Sequence, residues 1–210
     1  MKFLLPFVFL ALAHAAQAAL VSKVVGTVAD KVVTSREVQL NYILERALSG
    51  SGSGQVPSDV DSEAFRKEIS QVLLEWMVYL EAQAFALADI GSEERRVAED
   101  KLTILLKNNE SLSSTWKNLA PTSAERDQLL LRKLRAKKFI RFKTDSSFVT
   151  VTDREALSYF QKNRVKFGSL PFEKFKESIK TFLSQQQADE RLKEWFRILQ
   201  KKYQVRHLGA

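Results

Sequence analysis

The strand-like runs of this chain are few and too small to stand by themselves. Val24 to Ala29 and Val32 to Thr34 are short and rich in β-branched residues, with Asp30-Lys31 at a turn between them. Thr34 and Glu37 have capping-box spacing, so the second strand is expected to run straight into a helix. A two-stranded hairpin is marginal in water and needs a third strand or a helical cover. The remaining strand candidate is Val205 to Leu208, at the opposite end of the chain. Pairing there would stitch the two terminal segments into one lobe and leave the residues between as a helical body.

That body is legible as a series of amphipathic stripes. After the hairpin, Leu40, Ile43, Leu44, Ala47 and Leu48 share one helix face, followed by the polar loop "SGSGSGQVPSD", residues 49 to 59, which resembles an artificial linker and carries no functional signal. A long helix is expected from about Asp61 to Asp89, with Phe65, Ile69, Val72, Leu73, Trp76 and Leu80 on its stripe. Met77, Tyr79 and Phe85 fall off that stripe, which predicts a central helix with apolar neighbours on several sides. Gly91 interrupts, and Ser92 with Glu93 and Glu94 marks the next helix start by cap and dipole. A weakly patterned segment surrounds Trp116. Pro121-Thr122 opens a basic helix carrying Leu129, Leu130, Leu134, Phe139 and Phe142; Thr152 caps a short helix; and Pro171 is placed in the first turn of the last one. The expected fold class is mainly α, a helical module with a small β-sheet made from the N-terminal hairpin and a C-terminal strand.

Residues 1–18 read as an address. Lys2 supplies a positive start, Phe3 to Ala13 an apolar run, and Ala16-Gln17-Ala18 a small-x-small cleavage site. The apolar run is short of the ~20 residues a spanning helix needs. Export with cleavage after Ala18 is expected, leaving 19–210 as one domain: hairpin and helices to 147, a helix over 152–163, and the last helix and strand over 171–208. The chain has no cysteine and only two histidines, His14 in the leader and His207. Disulfides, thiol catalysis, cysteine zinc sites, histidine triads and His-pair metal sites are therefore closed off, and no cofactor or metal site is expected.

Without Lys2 the chain carries 32 bases against 25 acids, a balance of +7. The excess concentrates between Arg126 and Lys143, where eight bases accompany one acid, Asp127. Such a stripe suits nucleic acid, an anionic membrane surface or an acidic partner. The ordinary alternative is a solvated helix face whose lysine stems cover apolar surface. For an exported protein nucleic acid ranks last and is not expected as a partner.

Several separated motifs, taken in order, resemble the SurA-type periplasmic chaperones, relatives of the parvulin-linked foldases. They are Val24-Val25, Val32-Val33-Thr34 with Glu37; Leu73, Leu74, Leu80, Glu81 and Ala82; Gly91, Ser92 and Glu94; Val151, Thr152, Asp153, Glu155, Tyr159, Phe160 and Asn163; and Pro171-Phe172-Glu173 with Ile179. Ala29 departs from the family's turn asparagine, and Ile90-Gly91 reverses the family's usual Gly-Ile/Val order. The family normally carries one or two prolyl-isomerase domains between the Tyr-x-x-Asn helix and the Pro-Phe-Glu helix. Here seven residues separate Asn163 from Pro171, where even a small domain needs ~50. The parvulin histidines also have no counterpart.

The resemblance implies a non-enzymatic, ATP-independent chaperone of the periplasm that binds unfolded exported or outer-membrane proteins. Met77, Tyr79, Trp116, Phe139 and Phe142 are the candidate client-binding residues, because they lie off the main stripes, on weakly patterned segments or amid charge; ordinary core packing is the alternative for each. Two other function classes stand beside this one. A dedicated adaptor or scaffold would use the same fold for one partner, and peptidyl-prolyl isomerase is disfavoured by the missing domain.

Overall fold

The computed structural model describes residues 22–51 and 54–208. The expected leader and cleavage site, and Gly52-Ser53 of the polar loop, lie outside the described residues. Strands β1 (Val24–Val28) and β2 (Lys31–Thr34) pair antiparallel with Gly26 opposite Val33 and Val28 opposite Lys31. Strand β3 (Arg206–His207) joins the other edge of β1, giving the order β2-β1-β3. Closure of the two terminal segments is therefore real, and β3 is shorter than the expected 205–208 run. Two backbone bonds extend it: Leu208 N–H donates to the Val25 carbonyl at 2.9 Å, and Ala29 N–H to the Tyr203 carbonyl at 2.6 Å.

The central strand is crowded on both sides. A Cβ on Gly26 would stand 2.9 Å from Leu73 Cδ2 and 3.0 Å from the Arg206 carbonyl, so glycine is what admits both neighbours. The turn falls at Ala29-Asp30, one residue before the expected Asp30-Lys31, and Ala29 holds φ +51. In that left-handed region a Cβ costs about 1–2 kcal/mol.

Seven helices follow: α1 (Ser35–Ser49), α2 (Glu63–Ala84), α3 (Ser92–Asn108), α4 (Glu110–Leu119), α5 (Ser123–Ser147), α6 (Asp153–Lys162) and α7 (Lys176–Lys202). Thr34, Ser62, Asn109, Thr122 and Thr152 each accept a hydrogen bond from the backbone N–H three residues on, satisfying an orphan donor of α1, α2, α4, α5 and α6. The weak segment around Trp116 is thus a helix, set by the Asn109 cap and by buried Leu112 and Leu119. Three boundaries differ from expectation. Helix α2 stops at Ala84, because Ala86 and Ala88 take φ of +51 and +63. Ser92 is the first helical residue of α3, whose preceding Gly91 N–H donates to Glu94. Pro171 opens a single 3-10 turn, Phe172–Lys174, and α7 begins only at Lys176.

Packing divides into three apolar clusters. The first gathers the sheet, α2, Ala136 and Phe139 of α5, and Leu199 of α7. The second is built by α1, α3, α4 and the start of α5 around Ile43, Leu44, Leu112 and Leu130. The third is small: Ala156, Phe160 and Ile179, with half-buried aromatic rings against them. Helix α2 touches β1, α1, α5 and α7, so it is central as its pattern predicted. Helix α7 is shared, its last turns joining the first cluster and its first turns the third. Its 27 residues span about 40 Å, so α6 and the start of α7 extend from the body as an arm.

The closure also holds α7 to α2, since Tyr203 hydroxyl donates to Glu81 at 2.6 Å and Lys202 Nζ to the same oxygen at 2.5 Å. Ending the mature chain after Lys202 removes β3, the Tyr203 contact and the Ala29 bond. At about 1 kcal/mol each, the Leu208–Val25, Ala29–Tyr203 and Tyr203–Glu81 bonds alone cost about 3 kcal/mol. For a chain of this size that is a fall of roughly 6–12 °C in thermal midpoint by calorimetry. Equal midpoints for the truncated and full mature proteins would show that the third strand contributes nothing.

Candidate functional site

The helix with the greatest basic excess turns two of its charges, Arg132 and Lys133, inward. Along α5, Leu129 and Leu130 belong to the second cluster and Ala136 and Phe139 to the first. Arg132 and Lys133 occupy the same helical stripe between them, and both are buried. Buried charge demands partners. Glu75 of α2, itself buried, accepts from Arg132 Nε at 2.7 Å, Lys133 Nζ at 2.7 Å and Asn41 Nδ2 at 2.9 Å. Glu37 accepts from Arg132 Nη1 at 2.5 Å and from Trp76 Nε1 at 2.7 Å. Lys133 also donates to Asn41 Oδ1 and to Glu45, which takes a second bond from Lys137. So α1 supplies Glu37, Asn41 and Glu45 at four-residue steps, one polar seam facing α5. Thr34 caps α1, but Glu37 does not complete the capping box; its carboxylate is spent on α2 and α5.

Electrostatics of this seam are decided by competition. Burial alone would push the Glu75 carboxyl up, but Lys133 and then Arg132, helped by the Asn41 bond, hold it at about 2. Burial likewise opposes the charge on Arg132, and Glu75 and Glu37 outweigh it and raise its pKa. Among the described residues two buried donors, Arg132 Nη2 and Arg135 Nε, find no acceptor. Aromatic faces take that place: the Arg132 guanidinium lies 4.2 Å from the Trp76 ring and that of Arg135 5.8 Å from Tyr79.

Over this seam lies a cleft of about 380 Å³ bounded by Thr34, Glu37, Trp76, Tyr79, Glu125, Gln128 and Arg132. Its charges are already compensated, Glu37 by Arg132 and Glu125 by a two-pronged pair with Arg36. Nothing in it calls for a charged ligand. Among the described residues no group of three or more His, Asp or Glu side chains could hold a metal ion.

The arm presents a different surface. Tyr159, Phe167, Phe175, Ile179 and Phe182 line a mostly apolar groove of about 210 Å³, with Lys166 and Ser178 on the rim. Its rings touch edge to face or tilted, Phe167 to Phe175 at 4.9 Å and Tyr159 to Phe182 at 5.5 Å. Phe182 is 51% exposed. A pocket of roughly 150 Å³ accommodates a benzene ring, so this groove fits one aromatic or branched side chain.

No family model, curated protein or solved structure matches the chain. The functional reading therefore rests on the motifs quoted above and on this geometry.

The five sequence-derived candidates do not form one surface: Met77, Tyr79, Phe139 and Phe142 lie in or against the first core or stack on it, and Trp116 is against the second. Met77 and Phe139 are 1% and 2% exposed and belong to the first core, so no client reaches them without opening it. Met77 fell off the main stripe of α2 because that helix is covered on more than one side, whereas Phe139, singled out for the charge around it, continues the buried stripe of Leu129, Leu130 and Ala136. Tyr79 lines the cleft, and its hydroxyl accepts from Gln83 at 2.9 Å. Trp116 is half-buried against the second core. Phe142 is 52% exposed and stacks on Phe139. The groove residues were missed, although Tyr159, Phe160 and the Phe167–Phe182 series place six aromatic rings in 24 residues. That density exceeds what so small a core can bury.

Glu75→Gln would leave Arg132 and Lys133 buried with too little counter-charge. Breaking a buried pair this way costs about 3–5 kcal/mol, read as a lower urea midpoint at neutral pH. Acid acts on the same group. With the folded pKa held below the ordinary 4.5, its contribution is present above pH 4.5 and is lost as pH falls toward about 2. Acid unfolding of the wild type should therefore set in below pH 4.5, and the Glu75→Gln protein should show a weaker pH dependence over that window. An unchanged urea midpoint in the variant would contradict the role given to the seam.

Proposed function

We propose that the protein is an ATP-independent holdase of the periplasm that binds extended apolar segments of unfolded exported proteins, without prolyl isomerase activity. The observation that carries this reading is the half-open aromatic groove on the arm. It is apolar, rimmed by hydroxyl and ammonium groups, and formed by rings that a large core could have buried. Large apolar surface left open on a folded protein marks partner binding. A shallow aromatic slot accepts many side chains and selects none strongly, which suits clients of unrelated sequence. Resemblance to the SurA-type chaperones supports the same reading, and the expected leader supports the compartment. The seven-residue turn that replaces the family's isomerase domain argues for binding without catalysis.

The test is suppression of aggregation. Several unrelated denatured proteins are diluted into buffer with the mature chain, and light scattering is followed. Near-stoichiometric mature protein should lower scattering for all of them. Phe182→Asp puts a charge into the groove at an already exposed position, so it should weaken suppression about ten-fold while leaving the thermal midpoint within a few degrees. Suppression of one client alone would assign the groove to a dedicated adaptor. Failure with every client would remove the holdase reading.

A further inference from the structure

We propose that the tip of the arm is a docking surface for an anionic lipid bilayer, distinct from the groove below it. The tip is the turn from Lys162 to Lys174, which joins α6 to α7 at the end away from the sheet. Ile179 in the arm's cluster and Leu199 in the main core lie 20 residues apart on α7, about 30 Å along the helix. Val165 is 97% exposed and Leu170 52% exposed, and both stand on the turn itself. The Arg164 guanidinium donates to the Leu170 carbonyl at 2.8 Å and lies over the Phe160 ring, so the turn is held in this shape.

Charge completes the surface. Between Lys162 and Lys174 there are four bases, Lys162, Arg164, Lys166 and Lys174, against one acid, Glu173. Among the described residues none of the four has a carboxylate within salt-bridge distance. On α5, by contrast, six of the eight bases are paired with Asp or Glu. The basic helix that looked suited to an anionic surface is thus mostly neutralised, and uncompensated positive charge sits at the tip. Apolar side chains projecting from a convex turn inside a collar of bases match a negatively charged interface into which they dip. An acidic peptide would need a concave seat, and the exposed Val165 and Leu170 line neither the groove nor the cleft. No helix among the described residues is long and apolar enough to cross a membrane, so the contact is peripheral.

Sedimentation with vesicles tests this. The mature protein is mixed with phosphatidylcholine vesicles, or with the same vesicles carrying phosphatidylglycerol. It should pellet with the anionic vesicles at least about ten-fold more strongly and be released by high salt. Val165→Asp combined with Leu170→Asp should lower that binding about ten-fold. Arg141→Gln combined with Lys143→Gln on α5 should leave it unchanged. Phe182→Asp should keep vesicle binding while losing aggregation suppression, so this surface and the client groove can fail separately. Equal partition to both vesicle types, no binding, or indifference to the tip variant would overturn the proposal. So would full displacement from vesicles by a soluble acidic peptide, which would give the tip to a protein partner.

Discussion

The carboxylate of Glu75 lies where two apolar cores meet, between Arg132 and Lys133 and against Asn41. Helices α1, α2 and α5 each contribute to both the contact and the cores beside it. Apolar packing alone tolerates small slides of one helix along another, whereas a charged seam with fixed partners admits one register. Glu37, Asn41 and Glu45 accept their partners only if α5 stands one way against α1. The sheet, the cap at Thr34 and the Arg36–Glu125 pair are all placed by that choice. The seam's net gain over an apolar isostere is small by the general behaviour of buried pairs. Its larger effect is the penalty on every arrangement that leaves Arg132 or Lys133 alone.

What could be read from the sequence follows the range of the interactions involved. Caps at Thr34, Thr122 and Thr152 are local and were legible. The sheet closure was legible although its strands are nearly the whole chain apart, because strand-like residues are so scarce that few pairings exist. The charged seam was not, since Arg132 meets Glu75 and Glu37 across 57 and 95 residues. A run of bases reads as surface when only its own helix is considered. Two signals were present nonetheless: the four-residue spacing of Glu37, Asn41 and Glu45, and the apolar positions that bracket Arg132 and Lys133. Met77 shows the converse error: a residue off the main stripe is open to solvent only if its helix has one covered side, and α2 has several.

The two ends of α7 carry different duties. Its last turns are fastened to the body by Leu199, by Tyr203 and Lys202 on Glu81, and by the strand that follows. Its first turns meet α6 and the 3-10 turn Phe172–Lys174, around a core of three buried residues, with Ser184 donating to the Val149 carbonyl at the base. A small core with many half-exposed rings opens at lower cost than a large one. Rigid fastening at one end and a thinly packed aromatic surface at the other is what the proposed capture of mobile chains would require.

Hydrogen exchange of the mature protein, alone and with a saturating unfolded client, tests this division most directly. The account predicts the slowest exchange in α2 and α5 around Glu75 and Arg132, faster exchange across α6 and the start of α7, and client-induced slowing confined to the arm. An arm as protected as the body, or client-induced slowing around the Trp76 and Tyr79 cleft instead, would contradict it.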